Sequence, residues 1–131
     1  MAQRGYKVDA ADWSLEALRR AGGEASRQEL ALNLLVADLA SYPLPVVRYD
    51  VLLCFRYLER SLWHDMERAL RPGGALLMET FTEEHRRDHP DFPTAYCLAP
   101  GELRGAFPLL KVALYHESRS EGSASLFAIR P

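Results

Sequence analysis

Short apolar runs alternate with segments of helical spacing along this chain, and that alternation constrains its fold more than anything else. Strand and helix patterns taken in turn imply a layered α/β architecture with a largely parallel sheet. Residues 6–11 read as a first strand. Ser14 is a good helix N-cap, and Leu15, Leu18 and Ala21 then recur at helical spacing. Gly22-Gly23 is a natural helix stop, or the helix runs on. Leu30, Leu32, Leu34 and Val36 alternate with Ala31, Asn33 and Leu35 as a second strand that ends at Ala37-Asp38-Leu39. Pro43 and Pro45 make residues 41–45 a loop.

Residues 49–55 form the third strand. Its run Val51-Leu52-Leu53-Cys54-Phe55 is continuously apolar, the pattern of a strand covered on both faces. Ser61 can cap a helix whose inner face is Leu62, Met66, Ala69 and Leu70, with Pro72-Gly73-Gly74 ending it. Residues 75–81 are the fourth strand. Residues 82–98 are polar and broken by Pro90 and Pro93, so they read as a long connection. A short helix starts at Pro100-Gly101-Glu102-Leu103 and ends near Phe107-Pro108. Residues 110–116 and 124–129 make a strand pair around the turn at Glu121-Gly122, one of them antiparallel to the rest.

At 131 residues the chain suits one domain, 1–131, with one core. The net charge of −2 gives no electrostatic case for nucleic acid or an anionic membrane. No apolar run approaches the ~20 residues that span a bilayer. No apolar signal core follows the first six residues, so the expected location is cytoplasmic. Cys54 and Cys97 are far apart in sequence and no framework, so both are expected free, with Cys54 buried.

The first strand ends in an acidic residue, Asp12, and enters a helix at once. In nucleotide-binding α/β proteins such a residue holds a ribose about 20 residues after a glycine-rich loop. Only eleven residues precede Asp12, and none forms Gly-x-Gly.

Four pieces in order carry a family resemblance: Val8-Asp9-Ala10-Ala11-Asp12-Trp13-Ser14, Ala37-Asp38-Leu39, Tyr49-Asp50-Val51-Leu52-Leu53, and Leu70-Arg71-Pro72-Gly73-Gly74-Ala75-Leu76-Leu77. The chain resembles the class I S-adenosylmethionine-dependent methyltransferases, in the small-molecule branch similar to the tellurite-resistance methyltransferases. The resemblance implies a Rossmann-like, mostly parallel sheet with an antiparallel C-terminal hairpin strand. It also implies that the chain is a truncated domain whose six strands are counted from the family's second. The absent first strand is the central one, and it carries the loop that cradles the methionine end of S-adenosylmethionine. The open edges left behind would be closed by direct pairing of the first and third strands, by a homodimer, or by an upstream piece.

By that resemblance Asp12 takes the ribose hydroxyls, Asp38 takes the adenine amino group and the backbone of Leu39 reads the ring. The same residues also read more plainly, Asp12 as a helix N-terminal anion and Asp38 as an Asx-turn. Trp13 packs either on adenine or in the core, the core being favoured. Cys54, Phe55, Arg56 and Tyr57 end and follow the third strand and would line the pocket on the cofactor side, Cys54 and Phe55 toward the cofactor and Arg56 and Tyr57 toward the substrate, because ligands bind beyond the carboxyl ends of such strands. Arg56 suits an anion, or else a salt bridge with Glu59 or Glu83. Glu79 and Thr80 end the fourth strand on the same edge and would hold substrate polar groups.

His85 and His89 lie four apart but lack a third zinc ligand, and their charged surroundings read as a solvated loop. No acid–base or nucleophilic constellation is evident, which agrees with methyl transfer from an activated sulfonium, where positioning supplies the acceleration. Residues 82–98 would form a substrate lid. The expected function is methyl transfer to a small molecule. A non-catalytic, degenerate domain acting through association is the alternative, and a dinucleotide-binding protein is the weaker third.

Overall fold

In the computed structural model, which describes residues 1–131, strand β1 (Asp9–Asp12) runs into helix α1 (Leu15–Arg27) through one tight turn. Ser14 is the N-cap, its Oγ accepting from Ala17 N at 3.1 Å, so an orphan donor of the first turn is satisfied. Helix α1 does not stop at Gly22-Gly23. Glycine there serves close approach, since a Cβ on Gly22 would lie 2.9 Å from Leu34 Cδ1. Leu34 belongs to β2 (Asn33–Val36), which pairs in parallel with β1, Asp9 opposite Asn33 and Asp12 opposite Val36. This strand is shorter than the alternation at residues 30–36 predicts. The helix exit consumes the difference: Leu30 N bonds back to Ala25 O at 2.8 Å and Glu29 takes a left-handed φ of 56°.

The chain divides into two compact units, Met1–Pro43, which holds these elements, and Leu44–Pro131. The second is built on a four-stranded sheet of β3 (Tyr49–Phe55), β4 (Leu70–Phe81), β5 (Lys111–Ser118) and β6 (Ser123–Ile129), in the order β3-β4-β6-β5. Strands β3 and β4 are parallel, and β6 runs antiparallel to both β4 and β5, as the hairpin pattern implied. Within its own unit β1 pairs with β2, and β3 pairs with β4.

Helix α2 (Trp63–Ala69) crosses between β3 and β4, preceded by a 3-10 turn at Arg60–Leu62. Its entry is capped by Glu59 rather than Ser61: the Glu59 carboxylate accepts from Ser61 N at 3.0 Å and from Ser61 Oγ at 2.6 Å. The helix ends at Ala69, before Pro72-Gly73-Gly74, which belongs to β4. Leu70 already pairs with Tyr49, and the register then shifts before Val51 meets Ala75. Gly73 has φ +80°, and a Cβ on Gly74 would stand 2.8 Å from Arg71 O and 3.2 Å from Asp50 O. The Pro-Gly-Gly sequence is therefore a kink that lets two backbones touch. Arg130 closes the other side, its Nη1 donating to Leu70 O, to Arg68 O at 3.0 Å and to Glu67 O at 3.4 Å.

The alternation of β4 and β6 divides the sheet into two unlike faces. Leu76, Met78, Leu126 and Ala128 are buried on one face and belong to a core with Met66, Leu62, Leu103 and Phe107. The opposite face is open. Leu53 is 49% exposed and Leu114 69%. The continuous apolar run in β3 therefore does not mean cover on both faces, which corrects the sequence reading.

Candidate functional site

The carboxyl ends of the strands carry the residues singled out from the sequence, and each unit contributes its own set. In the first unit Asp12 ends β1. Asp38 lies two residues past Val36, the partner of Asp12, and Ala37 N donates to Asp12 O at 3.1 Å. The two acids thus stand at neighbouring tips of one parallel pair. Both form local turns: Asp12 Oδ1 accepts from Ser14 N at 2.8 Å and Asp38 Oδ1 from Ala40 N at 3.0 Å. These are the plainer roles, and they are realised. Each engages one oxygen and leaves the second free to accept. Trp13, expected more in the core, is instead 78% exposed beside Asp12. Leu39 is half-buried next to Asp38.

In the second unit the tips of β3 and β4 bring Phe55, Arg56, Glu79 and Phe81 together. Phe55 pairs with Glu79 across the ladder and is 54% exposed. Cys54 is half-buried, not buried, and free; Cys97 is buried and also free. The Cys54 Sγ donates to Tyr57 O at 3.6 Å, and burial pushes the thiol up to about 11, so it stays protonated and unreactive at neutral pH. Tyr57 is half-buried beside it. Glu79 and Thr80 do not share an edge. The strand continues to Phe81, and strand alternation sends Glu79 to the open face and Thr80, 1% exposed, into the core. Arg56 pairs with neither Glu59 nor Glu83. Its Nη2 lies 3.7 Å from Glu79 Oε1.

A column of planar groups grows from these tips, and the sequence reading missed it. The Arg56 guanidinium carbon lies 4.4 Å from the Phe81 ring centroid. The His85 ring stacks on Phe81 at 3.8 Å, and His89 on His85 at 4.2 Å. Arg56 and His85 thus both lie against the Phe81 ring. Phe92 meets Phe81 and His85 edge-on at 5.1 and 5.0 Å, and Tyr96 follows at 6.5 Å.

Residues 83–89 are therefore not a loose solvated loop. Loss of solvent around the His85 ring, followed by the charges of His89 and Arg56, holds its imidazole below its ordinary value. A signal was present: Phe81, His85, His89, Phe92 and Tyr96 recur every three or four residues. Pro90 and Pro93 hid it, because they forbid one continuous helix, and the chain stacks the rings on 3-10 turns at Glu83–Arg87 and Thr94–Tyr96 instead.

The segment carrying these rings is tied at both ends. Leu98 N donates to Phe81 O at 2.9 Å, Glu83 N to Leu98 O at 3.0 Å, and Thr82 and Leu98 form a parallel bridge. Arg60 holds the returning limb through Cys97 O at 3.0 Å, Ala95 O at 3.2 Å and both oxygens of Glu102. No group of three or more His, Cys, Asp or Glu side chains is placed to hold a metal ion, and no helix is long and apolar enough to cross a membrane.

Comparison with known proteins places this arrangement in a family. A family model described as a methyltransferase domain matches residues 1–74. Among solved structures the chain is similar to TehB from Haemophilus influenzae, with a TM-score of 0.80 and 15% identity over 99% of this chain. It spans 52% of that TehB chain, about half its length. NodS, an N-methyltransferase from Bradyrhizobium japonicum solved with S-adenosyl-L-homocysteine, gives 0.73 and 16% identity over 95% of this chain and 67% of its own. A SAM-dependent methyltransferase from Methanosarcina mazei gives 0.75 and 18% over 98% and 84%. No curated protein matches by sequence. The chain belongs to the methyltransferase-domain family, and its fold is that of the class I S-adenosylmethionine-dependent methyltransferases.

Proposed function

We propose that this chain serves methyl transfer from S-adenosylmethionine to a small-molecule acceptor. The observation that carries the reading is the pair of carboxylates at neighbouring strand tips, Asp12 and Asp38, each with one oxygen uncommitted, beside the exposed indole of Trp13. That donor set fits the adenosine half of the cofactor. Asp12 would accept from the ribose hydroxyls, Asp38 from the adenine amino group, and Trp13 offers a flat apolar face. When bound, the cofactor supplies a methyl group already activated on a sulfonium. The chain's own residues then need only bind, orient and exclude water, so the absence of an acid–base pair is no obstacle.

Isothermal titration with S-adenosyl-L-homocysteine tests this. The chain should bind it, and Asp12→Ala should weaken binding by roughly tenfold or more, the value of a hydrogen bond to a charged group. No heat down to millimolar affinity for the unaltered chain sinks the reading.

A second reading has its own observation. Strand β3 has one free edge and borders the open apolar face of its sheet, with Leu53, Phe55 and Leu114 exposed. A non-catalytic domain that associates with a second copy through that surface would bury it. Sedimentation at high concentration separates the two: a clean monomer removes the association reading.

A further inference from the structure

Arg56 is the first residue past the β3 ladder, and its backbone is strained. It takes φ +58°, a left-handed conformation that a residue with a Cβ avoids. The strain is held by one hydrogen bond, Arg56 N to Glu79 O at 2.8 Å. Such outliers persist where the surrounding structure fixes a side chain for a task.

The side chain is held by Phe81 and a long ion pair with Glu79, but its hydrogen-bond donors are free. Its guanidinium carbon lies over the Phe81 ring, on which His85 also stacks. Stacking consumes none of the in-plane N–H donors. The guanidinium makes no hydrogen bond, its side chain is 56% exposed, and the nearest acid, Glu79, stands outside hydrogen-bond distance at 3.7 Å. Other arginines around the connection are engaged. Arg86 donates to Phe92 O and Pro90 O, Arg87 pairs with Glu84, and Arg60 pairs with Glu102. An oriented fork with free donors matches the two coplanar oxygens of a carboxylate.

We propose that Arg56 is the anion-recognition residue at this strand edge and that the methyl acceptor carries a carboxylate. The naming of the ligand as acceptor rests on the methyl-transfer reading. The anion site itself rests on the geometry of Arg56. Glu79 sets the threshold: its charge faces the same fork, so a weakly basic or monodentate anion gains little there, while a bidentate carboxylate displaces the loose ion pair.

Benzoate is the probe, with benzamide as its neutral isostere and inorganic phosphate as the tetrahedral comparison. In the full chain, the Arg56 Nε–H resonance should shift saturably with benzoate at millimolar concentration, more weakly with phosphate, and not with benzamide. Arg56→Gln should abolish the benzoate response, Arg56→Lys should weaken it about tenfold because the fork is lost, and Glu79→Gln should tighten it severalfold. A benzoate response that persists in Arg56→Gln, an equal response to benzamide, or no tightening in Glu79→Gln overturns the proposal. Titration of the same sample with S-adenosyl-L-homocysteine separates the two ideas. Benzoate binding without cofactor binding keeps the carboxylate site and sinks the methyl-transfer reading. The reverse sinks the carboxylate site alone.

Discussion

At the scale of single residues, position decides meaning more than residue type does. Arg56 lies at a strained φ, and left-handed backbone costs about 1–2 kcal/mol for a residue with a Cβ. Its cation–π contact with Phe81 returns about 0.5–1 kcal/mol at an exposed site. Arg56→Gly should therefore leave the melting temperature unchanged or raise it, as thermal denaturation would register. A clear loss of stability would mean that the stack, not ligand recognition, is what Arg56 serves. Gly122 behaves in the opposite way. It has φ +61°, and a Cβ there would stand 2.6 Å from both His85 N and His85 Cα. Backbone cannot yield as a side-chain tip can, so Gly122→Ala should destabilise by about 2 kcal/mol or more in urea unfolding. It should also disturb the His85–His89 stack.

The legibility of residues follows from the same distinction. Asp12 and Asp38 were readable because a strand end fixes where a carboxylate goes, and the parallel register then sets them side by side. Trp13 had two readings in the sequence, and its exposure removes the core one, because nothing local in the sequence reports that the indole projects outward. Thr80 cannot share an edge with Glu79 because consecutive strand residues face opposite sides: with Glu79 on the open face, alternation turns Thr80 inward.

At the scale of elements, ends matter more than interiors. Helix α2 has only seven residues and depends on its termini: Glu59 and Ser61 at the entry, Arg130 at the exit. Isolated helices this short are unstable in water, so tertiary partners decide. Arg130→Met should remove the donors to Leu70 O and Arg68 O and cost about 1–2 kcal/mol by chemical denaturation. Glu67 on the same helix is 2% exposed and accepts from Leu109 N at 2.7 Å. The continuous apolar run in β3 shows the limit of pattern reading. Such a run reports permission to be buried on both faces, and whether the second face is covered depends on another part of the structure.

At the scale of the whole chain, acid sensitivity and surface character can be foreseen. Hydrogen bonds from Arg60 hold Glu102 below its ordinary value, and those from Ser61 do the same for Glu59. A carboxyl whose folded value is lowered contributes stability above its unfolded value, near 4.5, and loses it as pH falls through the lowered one. Unfolding free energy should therefore fall as pH drops below about 4.5, and Glu102→Gln should flatten part of that fall. A profile identical to that of the unaltered chain would exclude Glu102 as a source. The open sheet face predicts a second property. Under the association reading, Leu114→Glu, at a position already 69% exposed, should shift the sedimenting species toward monomer without lowering the melting temperature, because it removes apolar surface but no core.

The sequence by itself determined the order of strands and helices, the antiparallel hairpin, the acidic strand tips and the family. Each is set by local periodicity, capping chemistry or a short motif. Only the tertiary structure decided that Arg56, Phe81, His85 and His89 form one column, that Thr80 turns inward, and that one face of the four-stranded sheet stays open. Those outcomes depend on register and on which distant segments meet. Register is a relation between strands, and no single stretch of residues encodes it.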